Sequence, residues 1–517
     1  MLFNSFSFLF LFLPICLYIF FVLGSFKAGW AVYWLFFASL VFYGAWNPIY
    51  LPLPLISIVF NYFCGQYLDK NRSKILLFFA LFLNLSLLIF FKYTQFTLDN
   101  IAYLFSINVP QTNIILPLAI SFFTFQQIAY LIDVYHNGLP KQTFISYLTF
   151  VIFFPHFIAG PIVHHRFLIP QLLSTAITKL NTRNLSIGLC IFLVGLFKKV
   201  ILADAWYQGA AQTIFESARH GVCVSFLESW IGALAYTFQL YFDFSGYSDM
   251  AIGLAKMFNI TFPINFNSPY KSKSIIDFWR SWHITLSTFL RDYLYIPLGG
   301  SKLGTFRHFF NIIVVMFLGG LWHGAAWGFV AWGLLHGIYI IVNHSFRFIK
   351  AKLGLRESSN NVLYGNISKI FTFFLVVIAW VFFRANSFES AFLILKGMFG
   401  FNSFILPEKL SFLEPLRSIV PNLAFENMAF LIKAKFWLCI HIMVGFCIVW
   451  GLPNTNECFQ ELLENKTSLT CPLSPILPRL IKSYLMSPVG AFFAALAFTY
   501  ILLNIMELNS EFIYYQF

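Results

Sequence analysis

Charge is what this sequence has least of. Asp, Glu, Lys and Arg make up 10% of its 517 residues, against 59% hydrophobic and 21% aromatic. Soluble domains carry about 25% charged and about 45–50% apolar residues. A chain this long and this apolar cannot hide its surface from water, so lipid must be its solvent. Acid is scarcer than base, 20 residues against 33, which leaves a formal net charge of +13. With a mean hydropathy of +0.76, that excess reads as Lys and Arg held on the cytoplasmic side of a membrane. An anionic cytoplasmic ligand is its other possible use. Paired cysteines are lacking as well. Cys16, Cys64, Cys190, Cys223, Cys439, Cys447, Cys458 and Cys471 stand apart, with no C-x-x-C, so neither a zinc site nor a disulfide framework is indicated. There is no G-x-S-x-G, P-loop, H-E-x-x-H or dinucleotide fingerprint.

What is present is one apolar stretch after another. The expected spans are 5–23, 29–46, 50–67, 75–92, 113–132, 186–203, 226–245, 308–322, 325–343, 367–384, 436–452 and 487–506, each near the 20 or so residues a bilayer requires. The first lacks a basic leader and a small-residue cleavage site, and reads as a retained span. The run 143–162 is broken by Pro155 and Gly160-Pro161, which predicts a re-entrant or interfacial segment. The basic clusters Lys70, Arg72, Lys74 and Arg347, Lys350, Lys352, Arg356 belong in the cytoplasm. Counting spans then places the N-terminus and residues 507–517 outside.

The stretch 246–307 combines Pro, Gly and aromatics with Lys271, Lys273, Arg280, Arg291, Lys302 and Arg307. It predicts short helices buried in the bundle or lying at the cytoplasmic interface. Ionisable groups inside a membrane are costly and mark candidate sites. His323 lies in FLGGLWHGAAWGFVAWGLLHG, with glycines that allow close helix approach and Trp322 and Trp327 to wall a slot. A neutral imidazole there suits a general base, or merely bonds a neighbouring helix. His283 sits among Trp279, Arg280, Trp282 and Arg291, which suit an anionic, planar ligand or a plain aromatic core. His336 reads as structural. The pair His164-His165 has no acidic or Cys company in sequence and reads as interfacial, with no metal expected.

Several long segments in fixed order resemble the bacterial membrane-bound O-acyltransferase family, in its alginate and peptidoglycan O-acetylation branch. They are FYGAWNP, LPLAISFFTFQQIAYLIDVY, FPHFIAGPIV, GLFKKVILAD, AYTFQLYFDFSGYSDMAIGL, FWRSWHITLSTFLRDYLYIPLGG, GGLWHGA and VFFRANS. The resemblance implies an all-α polytopic membrane protein. It would be one domain, a bundle of about 11–13 transmembrane helices with re-entrant or interfacial helices around a central funnel. It implies catalytic roles for His323 and His283, with acetyl-CoA as donor. Lys271, Lys273, Arg280 and Arg291 are then candidates to hold the CoA phosphates.

The segment EFIYYQF, 511–517, resembles aromatic tails in this branch and in the small partner of D-alanylation systems. That pattern puts the acyl group on Tyr514, with Tyr515 as the alternative. The plain reading of the segment is an interfacial aromatic belt. By resemblance the acetyl group passes to an extracytoplasmic SGNH-type transferase, which modifies a polysaccharide. The rival readings are the same machinery with a D-alanyl or lipid acceptor, and a secondary transporter.

Overall fold

The computed structural model describes residues 1–139, 141–354, 362–407, 411–412, 414–415, 417, 423–426, 436–464 and 487–507. Almost all of them are helical, with one two-stranded parallel pair, Phe404–Pro407 and Leu423–Glu426. Seven helices are long and apolar enough to cross a membrane: Ser7–Phe26, Pro48–Asn71, Lys74–Phe105, Thr182–Arg219, Thr305–His323, Trp327–Lys352 and Val362–Arg384. The chain is a multi-pass membrane protein.

The remaining five expected spans fall on helices that are shorter or more polar. Ala28–Gly44, Phe436–Phe446 with its continuation Cys447–Gly451, and Pro488–Glu507 cover three of them. The span expected at 113–132 starts late, at Ile120. Ala119 before it takes a left-handed φ of +63°, and residues 111–117 are not helical. The span expected to end at residue 245 runs on to Met257, so the unusual stretch begins some twelve residues later than its composition indicated.

That helix, Phe226–Met257, is the central pole. Every residue over 235–257 is buried, including Gln239, Asp243 and Asp249. Hydropathy underrates it because its polar groups face other helices instead of lipid. It packs antiparallel against Thr182–Arg219 with a close backbone approach. A Cβ at Gly188 would sit 2.6 Å from the Gly253 oxygen, and one at Gly195 would sit 2.5 Å from the Gly246 oxygen. Lys199 joins Asp204 at 2.8 Å and Asp243 at 2.6 Å, while Lys198 joins Asp249 at 2.7 Å. Pairing of this kind lets charges persist where an isolated one would not.

The run 143–162 is broken as expected, into Phe144–Ile152 and Phe154–Phe157, and nearly all of it is buried. Beyond the central pole, short helices follow at Ile275–Ser281, Ile284–Leu290 and Arg291–Tyr295, as the composition predicted. A tight hairpin then joins Thr305–His323 to Trp327–Lys352. Cβ atoms at Gly320 and Gly333 would each fall 2.3 Å from a carbonyl of the other helix, so only glycine permits the contact.

Candidate active site

The hairpin decides where His323 lies. Its helix ends at that residue, and the chain turns through Gly324–Ala326. The imidazole is 3% exposed. Trp322, Trp332 and Phe383 surround it, with ring centroids at 5.0, 4.9 and 5.2 Å. His283, Lys92 and His336 lie within electrostatic range of it.

Above this residue opens a cavity of about 900 Å³. Lys92, Gln239, Phe329, Phe383 and Arg384 line it, with the Gly324–Ala326 turn. Phe383 therefore belongs to the cavity wall and also packs edge-on against His323. The cavity lies at the end of the bundle opposite Lys70 and Lys74, because the Lys74–Phe105 helix carries Lys92 away from them. The positive-inside rule predicts that end to be external. Lys92 Nζ donates to the Trp322 carbonyl, and lies 3.4 Å from the His323 carbonyl. Tyr93 donates its hydroxyl to the Leu321 carbonyl at 2.6 Å. These bonds satisfy acceptors that a helix end leaves open. Sequence reasoning missed Lys92. A lysine inside an otherwise apolar run was the available signal.

His283 is fully buried and begins the Ile284–Leu290 helix with a left-handed φ of +43°. Its Nδ1 lies 3.1 Å from Asn265 Oδ1. The same oxygen receives the Thr285 N–H at 3.3 Å and the Thr285 hydroxyl at 3.0 Å. That identifies it as an acceptor, so Nδ1 carries the proton and Nε2 keeps its lone pair. Nε2 has no hydrogen-bond partner among the described residues. Asn265 also escaped sequence reasoning, since nothing local distinguishes it from a loop residue.

On the far side of His323 the rings continue as a chain. Trp332 meets His336 at 5.0 Å, and the Trp279 indole donates to His336 Nδ1 at 3.2 Å. The slot partner expected at Trp327 is displaced. Trp327 is 52% exposed and bonds Asn100, because the break at residues 324–326 turns it outward, and Trp332 stands beside His323 in its place.

The basic candidates divide. Lys271 and Lys273 are both within electrostatic range of Lys369, which the sequence reading had left inside a span. Lys271 donates to the Leu452 carbonyl at 2.6 Å. Arg280 pairs with Asp277 at 3.7 Å, and both are well exposed. It also lies within range of His344, as Arg347 does. Arg291 is gripped by its neighbour Asp292, at 2.7 and 3.2 Å. His164 and His165 gain the acidic company they lacked in sequence, from Asp133. Tyr514 lies outside the described residues.

Residues 139–386 match the family model described as MBOAT, membrane-bound O-acyltransferase family. The chain is 41% identical over 513 residues to a peptidoglycan O-acetyltransferase of Helicobacter pylori, covering 92% of this chain and 94% of that one. It is 39% identical over 421 residues to a probable alginate O-acetylase of Azotobacter vinelandii, covering 79% and 80%. Similarity to a teichoic acid D-alanyltransferase of Streptococcus thermophilus is weaker, 27% over 280 residues, covering 52% and 68%.

Proposed function

The chain belongs to the membrane-bound O-acyltransferase family, and on that premise we propose that it exports acetyl groups for O-acetylation of a polysaccharide outside an inner membrane. It is an acyltransferase. Acetyl-CoA is the proposed cytoplasmic donor, and peptidoglycan is favoured over alginate as the final acceptor. The longer and closer match to a protein named for peptidoglycan supports that choice. D-alanyl transfer is the weaker reading, since its relatives match about half the chain.

The observation that carries the proposal is the position of His323. It lies beneath the cavity lined by Lys92 and Arg384, and a chain of rings links it to Trp279 and His336 on the other side. In the proposed reaction His323 takes the phenolic proton of Tyr514. The phenol oxygen attacks the thioester carbonyl, the carbon–sulfur bond breaks, and CoA leaves as the thiol with that proton. A phenol with a pKa near 10 needs such a base at neutral pH. The aryl ester then gives its acetyl group to an extracytoplasmic SGNH-type partner, which restores the phenol. His283, with Nε2 open, assists at the thioester. Lys271 and Lys273, reinforced by Lys369, would hold the CoA phosphates, with Arg280 and Arg291 as further contacts.

The test is the O-acetyl content of murein in cells lacking the gene, complemented with wild type or His323→Ala. The proposal requires O-acetyl to disappear on deletion and to return only with wild type. Murein unchanged by the deletion would refute peptidoglycan as the acceptor.

A further inference from the structure

At the end of the bundle that carries Lys70 and Arg72, three separate pieces of chain converge on one carboxylate. Asp133 comes from the Ile120–Asn137 helix, His164 and His165 from the start of the His165–Leu172 helix, and Tyr293 from the Arg291–Tyr295 turn. His164 Nε2 touches Asp133 Oδ2 directly. The Tyr293 hydroxyl lies 2.9 Å from the same oxygen and 2.8 Å from His164 Nε2. His165 Nδ1 stands 3.8 Å from it. The three candidate ligand atoms of Asp133, His164 and His165 all fall within 4.8 Å of one another.

His165 is the anomaly. Its side chain is wholly shielded from solvent, and neither ring nitrogen has a hydrogen-bond partner among the described residues. Its ring neighbours are the His164 imidazole at 4.4 Å, Tyr130 edge-on at 5.3 Å and Phe150 at 6.3 Å, and the last two supply apolar contact to the ring. Buried polar atoms without partners are rare, and each calls for an explanation.

We propose that Asp133, His164 and His165 bind a divalent transition metal of the zinc type, with Tyr293 or a water as fourth ligand. Two imidazoles and a carboxylate form a donor set that such ions favour. Ligand atoms about 2.0–2.2 Å from a tetrahedral zinc lie roughly 3.3–3.6 Å apart, so the 3.8 Å between His165 and Asp133 needs little adjustment. Two features oppose binding. His164 Nε2 and Asp133 Oδ2 touch more closely than two ligands of one zinc can, and must part to admit the ion. His164 Nδ1 accepts the Arg166 N–H at 3.3 Å, which in the metal-free protein leaves the proton on Nε2, facing Asp133. For Nε2 to bind metal that proton must move to Nδ1, which breaks a long capping bond, a small loss beside three new ligand bonds.

The metal would act as a clasp. Tyr293 follows the helix that His283 begins, so the site fastens that segment to the Asp133 helix without touching the reacting atoms.

The experiment uses full-length protein in detergent, stripped with a chelator and titrated with Co²⁺ and then Zn²⁺. Wild type should take up one metal per chain and show the intense visible bands of tetrahedral Co²⁺. His165→Gln and Asp133→Asn should each lose more than the about 10–100-fold typical of an outer-shell partner. The exposed His136→Gln serves as control and should bind as wild type does. A weak, octahedral Co²⁺ spectrum in wild type overturns the proposal whatever the variants do. So does His165→Gln binding as tightly as wild type.

Discussion

Asn265 Oδ1 accepts the Nδ1 proton of His283 at 3.1 Å, and that one bond fixes which nitrogen of the buried imidazole is free. Replacing Asn265 with Leu removes the acceptor that also receives both Thr285 donors. Turnover should fall by roughly 10–100-fold, as when other orienting partners of a functional imidazole are lost. Asn265→Asp keeps the acceptor and should retain more activity. Equal rates for Asn265→Leu and wild type would remove His283 from the reaction.

Lys92 secures the carbonyl end of the helix that finishes at His323. Lys92→Met should lower kcat with little change in the KM for donor, because it disturbs the placement of His323 and leaves the basic rim untouched. Tyr93→Phe deletes one neutral bond and should cost only about 0.5–1.5 kcal/mol in stability. Steady-state kinetics separate the two.

Gly320 lets the two hairpin helices touch. A Cβ there would lie 2.3 Å from the Phe329 oxygen, so even Gly320→Ala should destabilise by about 1–3 kcal/mol. Thermal unfolding in detergent reads this out. An unchanged midpoint would mean that the helices part without penalty.

Neutralising Lys271 and Lys273 together should raise the apparent KM for acetyl-CoA about tenfold, which is a loss of about 1.4 kcal/mol. The wild-type KM should also rise with salt, and the variant's less so, since exposed charges are screened. Arg291, already bound to Asp292, should matter less than either lysine. An unchanged KM would leave both lysines as topology signals alone.

The helices were legible because lipid demands long apolar runs, and seven of the expected spans fall on helices that meet that demand. Phe226–Met257 was cut short at residue 245, ahead of the polar Asp249 and Lys256, and only the fold reveals that Lys198 answers Asp249. His323 and His283 were singled out as candidates from their aromatic and glycine-rich settings. Asn265, Lys92 and the pairing of Asp133 with His164 were not, since each depends on contacts between distant segments. Trp327 was misplaced because the turn at residues 324–326 faces it outward, which only the fold reveals.

The central claim is that acetyl leaves acetyl-CoA through His323 and rests on Tyr514. Purified wild type, His323→Ala and Tyr514→Phe should be given labelled acetyl-CoA, followed by intact-mass and peptide analysis with CoA release measured in parallel. The account predicts CoA release and label on the tail peptide in wild type, with no tail label in either variant. Tail label in His323→Ala equal to wild type, or full acetyl transfer by Tyr514→Phe, would contradict it.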